Sequence, residues 1–355
     1  MLTAIASIFV LGMMVFFHEL GHFTVAKWTG VRVLEFSMGM GPKLWGRQRG
    51  ETFYALRLLP IGGYVKMAGE SIENEEEQEA LVNDPGSFQN KTVLQRMAII
   101  FAGPLMNFIL ALVLFVCVFA YIGIPVESNV NELGTVLKGK PAYAAGLQPG
   151  DKITAINDRI TSKWSELTNI IHQSAGKELT LRIERQGKTK EVKVVPQLDP
   201  QTKQGMIGIA NVTTFDKKGV LQSAAFGVQR TFQFTQFILV SLYQMITGRI
   251  PADVGGPVAI VSAIGQGASQ GFTDLLGLTG MLSIQLGLLN LFPIPALDGS
   301  RLVFLAVEGL RGKPIDPAKE NFIHLIGFAL LLLFIVVVTY NDIIRLITGK
   351  GAIGG

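Results

Sequence analysis

Residues 2–26 read LTAIASIFVLGMMVFFHELGHFTVA, a run whose length and chemistry together decide the fold. It is long enough to cross a hydrocarbon core, which takes about 20 residues. Its ionisable side chains, His18, Glu19 and His22, are gathered near one end. Such groups cost roughly 2 to 3 kcal/mol or more apiece when they face lipid unpaired, so three within one helical turn point to a site. Two histidines four residues apart share a helix face and can hold one metal ion, with zinc the natural candidate. Glu19, between them, points off that face yet stays close enough to take a proton from water that the metal has made acidic.

Moving outward, Met97 to Ile122 and Phe322 to Tyr340 are also of spanning length, and Leu276 to Leu297 is a fourth such run, interrupted by Pro293 and Pro295. With 49% hydrophobic and only 16% charged residues, the chain belongs in a bilayer. Its cations are spread over several loops, and the basic stripe that nucleic-acid binding requires is missing. The lone Cys117 excludes an intramolecular disulfide and a cysteine metal cluster. No Lys or Arg precedes the first apolar run, which argues against a cleaved signal peptide.

The Lys- and Arg-rich loop after the first span is expected to be cytoplasmic by the positive-inside tendency. The expected organisation is then a first span with HELGH (1–26), a cytoplasmic loop carrying a membrane-associated β segment (27–95) and a second span (96–122). A small domain (123–200) and an amphipathic extracytoplasmic segment (201–275) follow, then a third span with NLFPIPALDG (276–299), a cytoplasmic loop (300–321) and a fourth span (322–346). Glu51 to Met67, rich in aromatic and aliphatic residues around Gly62-Gly63, reads as strands near the membrane, with Leu56 expected on an edge. The acidic SIENEEEQEA (71–80) reads as a solvated linker. Between Leu221 and Thr247, five glutamines (Gln222, Gln229, Gln233, Gln236 and Gln244) fall in a stripe about 80° wide, which suits an interfacial helix or a polar cavity.

Residues 123–200 alternate short β-prone runs with turns. Their AYAAGLQPGD (142–151) followed by KITAIND resembles the signature of PDZ domains. That likeness implies a peptide-binding loop at Gly146, Leu147, Gly150 and Asp151, with Ser165 to Gln173 as the groove helix.

A catalytic zinc wants three protein ligands and an open position. His172 and His324 are poorly placed for the third, whereas Asp298 closes an apolar stretch that two prolines must break. At 1.5 Å per residue, His18 lies roughly 25 Å along its span and Asp298 about 33 Å along its own, both toward the cytoplasmic side. Asn290 and Asn107 are amides within spans, each suited to bonding a developing oxyanion or a substrate backbone, or simply another helix.

FHELGH, GGYVKMAGE (62–70), AGPLMNFILA (102–111), GGPVAIV (255–261) and NLFPIPALDG (290–299) together resemble the site-2 protease family of intramembrane metalloproteases, in its bacterial regulator-of-sigma-E protease branch. The resemblance runs nearly end to end. It implies one Zn2+ ion held by His18, His22 and Asp298, with Glu19 as general base, and it places Asn290 in the family's Asn-x-x-Pro-x-Pro-x-Leu-Asp-Gly motif. It further implies location in the bacterial inner membrane and single-pass membrane substrates such as an anti-sigma factor, already trimmed outside by another protease, with membrane lipid and no nucleic acid as partners. Gly62, Gly63 and Leu56 belong to the segment expected to hold a substrate extended.

The fold class expected is therefore a polytopic α-helical membrane protein of about four transmembrane helices, with a membrane-associated β segment and one inserted extracytoplasmic PDZ-like α+β domain. Two other readings stay open on the residues alone. One is an ion transporter, which explains the ligands but not Glu19; the other is a PDZ scaffold with a structural metal, which lacks a fourth ligand.

Overall fold

The computed structural model describes residues 1–70, 84–128, 130–199, 202–251 and 254–348. The acidic run at 71–80 lies outside the described residues. The chain divides into two compact units, Met1–Ala120 with Gly219–Gly355, and Tyr121–Lys218.

The first unit opens with helix α1 (Leu2–Trp28), whose buried positions Ala6, Val10, Met14, Gly21 and His22 recur at three- and four-residue spacing. His18 falls between Met14 and His22 on the same stripe, so the helix turns its histidines inward while Leu2, Ile5, Ile8 and Phe9 stay on the outside. Strands β1 (Val33–Arg49) and β2 (Thr52–Met67) follow. Both double back. Met38 pairs with Gly63 and with Leu56, and Leu56 pairs with Met38 and with Trp45, so four rungs lie side by side in the order 62–67, 33–40, 52–57, 43–49. Leu56 is therefore central, not on an edge; the bulges that fold the strands over set this register, and local composition does not reveal it. Helix α2 (Val93–Ile122) contains Pro104, which leaves the Ile100 carbonyl without its usual amide donor and loosens the helix there.

The second unit holds β3 (Ile124–Glu127), β4 (Leu133–Val136), α3 (Pro141–Ala144), β5 (Lys152–Ile156), β6 (Arg159–Ile160), α4 (Trp164–Gln173), β7 (Leu179–Arg185), β8 (Lys188–Val194), β9 (Gln197–Leu198), β10 (Gly205–Met206), β11 (Ile209–Asn211) and β12 (Thr213–Asp216). Its main sheet runs β6-β5-β7-β8. Alternation along β7 sends Leu179, Leu181 and Ile183 into a core shared with Ile153, Leu133 and the α4 pair Leu167 and Ile171. The unit reaches past residue 200 because β11 pairs with β4 and β12 with β3.

The first unit resumes with α5 (Val220–Ile246), α6 (Pro257–Gln270), α7 (Phe272–Leu291), α8 (Asp298–Arg311) and α9 (Pro317–Ile347). Residues 220–270 thus join the helical body. Gly227 of α5 sits against Val116, and Ile264 of α6 is buried in a cluster with Val10, Met14, Leu110 and Leu114. Gln222, Gln229, Gln233 and Gln236 are exposed and Gln244 is half-buried. Asp342, fully buried on α9, accepts from the Gly256 and Ala259 amides at 3.2 and 2.9 Å and so caps α6 from a neighbouring helix.

Among the described residues, four helices are long and apolar enough to cross a membrane: Leu2–Trp28, Val93–Ile122, Phe272–Leu291 and Phe322–Ile347. The third ends at Leu291 rather than continuing to residue 299. Pro293 and Pro295 cannot donate to a helical ladder, and a non-helical link leads to a fresh helix start at Asp298.

Candidate metal centre

Three elements bring the site together. The inward stripe of α1 supplies His18 and His22, and the first turn of α8 supplies Asp298. Residues of α2 then fix the rings. The Nδ1–H of His22 donates to the Ile99 carbonyl at 2.9 Å, beside the Pro104 irregularity, which leaves His22 Nε2 with a lone pair in the neutral ring. That atom lies 3.2 Å from His18 Nε2 and 3.4 Å from Asp298 Oδ2, and His18 Nε2 lies 3.1 Å from the same oxygen. Three electron-rich atoms converging in a largely buried place repel one another unless a proton or a metal cation stands among them. With both rings presenting Nε2 lone pairs, Asp298 Oδ2 has no hydrogen-bond partner, as suits a metal ligand atom. Tetrahedral zinc bound at about 2.0 to 2.1 Å separates its ligands by about 3.3 Å, the spacing these atoms adopt. The residues present fit the ion.

Asn107 is fully buried, and its side-chain amide sits 3.2 Å from His18 Nδ1. If His18 offers Nε2 to the metal, its Nδ1 carries the proton, and the amide turns its otherwise unpartnered Oδ1 to accept it. Asn107 is thus occupied with a histidine rather than presented to a substrate. Its own carbonyl accepts from Ser283 of α7 at 2.8 Å, which ties three helices to one ring.

Gly103 and Gly63 permit the close packing. A Cβ on Gly103 would sit 2.2 Å from His22 Nε2, and one on Gly63 would come to 3.1 Å of both Glu19 Cγ and Val15. The Gly63 approach brings the strand at 62–67 alongside Glu19. Together these groups border a cavity of about 170 Å3 lined by His18, Glu19, His22, Gly63, Tyr64, Val65, Met67, Glu70, Ile100, Asp298 and Arg301.

Of the residues expected from sequence, His18, Glu19, His22, Asp298 and Gly63 meet at this cavity, with Asn107 directly behind it. Asn290, half-buried in the last turn of α7, and Leu56, on the central rung two places from the one at 62–67, do not line it, and neither does Gly62. Gly62 instead supplies the left-handed turn (φ 77°) that starts the cavity strand. Tyr64, Glu70, Ile100 and Arg301 were not singled out in the sequence. For Arg301 a signal existed, since it follows Asp298 by three residues on one helix face.

In the second unit, Leu147 and Asp151 of the Gly146 to Asp151 loop are turned into the unit's own interior. Leu147 is buried in the core. Asp151, fully buried, accepts from Arg185 Nε at 2.6 Å, from Arg185 Nη2 at 2.8 Å and from the Gln148 amide at 2.9 Å. Burial works against its ionised form, but the Arg185 and Gln148 hydrogen bonds outweigh that and hold the carboxyl below its ordinary value. Gly146 contributes a carbonyl to Arg185, and the Gly150 amide bonds Leu133.

Comparison with known proteins places these features in company. Residues 6–334 match Peptidase family M50. The chain is 35% identical over 428 residues to the zinc metalloprotease RasP of Oceanobacillus iheyensis, covering 98% of this chain and 100% of that one. It is likewise 35% identical over 418 residues to the regulator of sigma-W protease RasP of Bacillus subtilis, covering 97% and 99%. Among solved structures, the PDZ domain of an SdrC-like protein from Listeria monocytogenes matches 25% of this chain and 94% of its own, at 24% identity and a TM-score of 0.22.

Proposed function

The chain belongs to peptidase family M50 and is a zinc metalloprotease, and from that premise we propose that it hydrolyses a peptide bond within or near the transmembrane segment of single-pass membrane proteins. The observation that carries this reading is the convergence of His18, His22 and Asp298 on one point of a cavity whose wall also includes Glu19 and a β-strand. A transporter would need the ligands but not a carboxylate beside them. His18, His22 and Asp298 would hold the zinc, which when bound would supply the Lewis acidity that makes water nucleophilic near neutral pH.

The chain's residues do the rest. Glu19 takes the proton from the attacking water and returns it to the leaving amide nitrogen, so that one carboxylate serves both halves of the reaction. Asn107 and the Ile99 carbonyl keep the two imidazoles in the required tautomers. A substrate helix hides its carbonyls in its own hydrogen bonds and must be unwound before attack. The strand at 62–67 offers a backbone against which an extended segment can pair beside Glu19. The positive-inside pattern supports a cytoplasmic active site in a bacterial inner membrane, with the 121–218 unit outside, filtering substrates by binding a trimmed end or by size. A relative named as a regulator of sigma-W protease supports a regulator of a sigma factor as substrate, and the reading adds that this substrate is membrane-anchored and shortened beforehand.

The test is cleavage of a purified single-pass protein in detergent, with the product mapped by mass spectrometry. We expect a cut inside the span, lost on chelation and reduced about 100- to 10,000-fold in Glu19→Gln, with zinc retained in that variant. A cut that maps to an exposed loop, or survives Glu19→Gln, would overturn the reading.

A further inference from the structure

The wall of the cavity holds one further charged pair, which the scheme above does not use. Arg301 stands on the first turn of α8, one turn after Asp298, and its guanidinium donates to Glu70 in the turn that follows β2. Arg301 is the only cationic side chain lining the cavity among the described residues. The other neutral or positive donors nearby are committed: the Tyr64 hydroxyl accepts from Arg57 at 2.6 Å and is hydrogen-bonded to the Glu35 carboxylate, Asn107 is engaged with His18, and Asn290 lies off the cavity wall. Arg301 is not committed in the same way. Of its five N–H groups, the hydrogen bonding among the described residues uses one, and about a third of the side chain (37%) remains accessible.

Charge completes the argument. Glu19, Glu70 and Asp298 bring three carboxylates to one small cavity, and a peptide carbonyl that gains negative charge there meets repulsion. A guanidinium fixed by Glu70 places donors in a planar fork against that oxygen, and it is matched to the carboxylate that the same carbonyl becomes. We propose that Arg301, oriented by Glu70, is a catalytic residue that binds the scissile carbonyl oxygen as it becomes anionic and retains the new C-terminal carboxylate until release. The proposal rests on the proteolytic reading given above. In the step, water's oxygen bonds the carbonyl carbon and the π pair moves to the oxygen facing Arg301. That pair then re-forms the carbonyl as the C–N bond breaks, and the nitrogen leaves with the proton carried by Glu19; the new acid's remaining hydroxyl proton then passes through Glu19 to the freed amine, so that the products are a carboxylate facing Arg301 and an ammonium group.

The alternative is a purely structural ion pair that fastens β2 to α8, and two measurements on the full-length, zinc-loaded protein separate them. The first compares kcat and KM for a single-pass substrate in wild type, Arg301→Met and Arg301→Lys, with zinc content and thermal midpoint measured for each. The second measures binding of two peptides that match the N-terminal product, one ending in a free carboxylate and one in an amide. We expect Arg301→Met to lower kcat about 100-fold or more with KM and zinc content little changed, and to erase the preference for the carboxylate peptide. Arg301→Lys is expected to recover part of both. An Arg301→Met protein that keeps the carboxylate preference, or whose lost activity tracks lost zinc and a lowered midpoint, overturns the proposal. Wild type that cleaves nothing yet prefers the carboxylate peptide through Arg301 overturns the proteolytic reading, and leaves the anion-binding role of Arg301 supported.

Discussion

Asp151 in the inserted unit is fully buried and Asp298 in the helical unit largely so, with 17% of its side chain accessible, and their surroundings differ sharply. Asp151 receives two guanidinium hydrogen bonds and a backbone amide, so its charge is answered by groups the fold supplies. Asp298 faces two imidazole nitrogens and leaves one oxygen with no hydrogen bond. The first arrangement needs nothing more; the second is incomplete without a cation. Burial therefore does not separate a structural carboxylate from a functional one. What does is whether the protein itself completes the hydrogen bonding.

That comparison breaks most visibly at the metal. Asp298→Ala is expected to bring zinc content, measured by atomic absorption, well below one ion per chain and to reduce cleavage to background, while the inserted unit keeps its hydrogen-exchange protection. A next, smaller effect probes the support behind the ligands. Asn107→Ala should weaken zinc affinity or cleavage about 10- to 100-fold, because His18 loses the group that fixes its tautomer. Titration with a competing chelator reads this out, and unchanged affinity would assign Asn107 to helix packing alone.

In the inserted unit the same kind of surgery should act on stability and spare chemistry. Arg185→Ala leaves the Asp151 charge buried without its guanidinium and is expected to cost roughly 3 kcal/mol. It should appear as faster exchange in β5 and β7 with zinc content unchanged. The smallest effect is its pH dependence. Because the folded Asp151 carboxyl lies below its unfolded value of about 3.9, its stabilisation is fully present above that value and fades as pH falls through the lower, folded one. The exchange difference between wild type and Arg185→Ala should accordingly hold near neutrality and shrink below about pH 4.

Much of this was readable in advance where the chemistry is local. Helical spacing alone places His18 and His22 on one face, and the prolines ahead of Asp298 announce a broken helix. Position across the sheet was harder to read. Leu56 looks like an edge residue in a short β-prone run, yet its strand is paired on both sides, and the rung that borders Glu19 is the one beginning at Gly62. The two span amides are equally plausible from sequence; packing alone turns Asn107 toward His18 and leaves Asn290 off the cavity wall. The inward turn of Leu147 and Asp151 likewise depends on β4 and β7, distant in the chain.

By itself, the sequence determined that this chain enters a membrane, that it carries a two-histidine metal motif with a glutamate, and that a distant aspartate can complete it. These follow from hydrophobic run length and from helical periodicity, both of which are properties of contiguous residues. Only the tertiary structure decided which amide steadies His18, which rung of the sheet borders the cavity, and that Glu70 and Arg301 meet there. Each depends on how close segments far apart in the chain come to lie, and that is set by packing between elements rather than by the residues of any one of them.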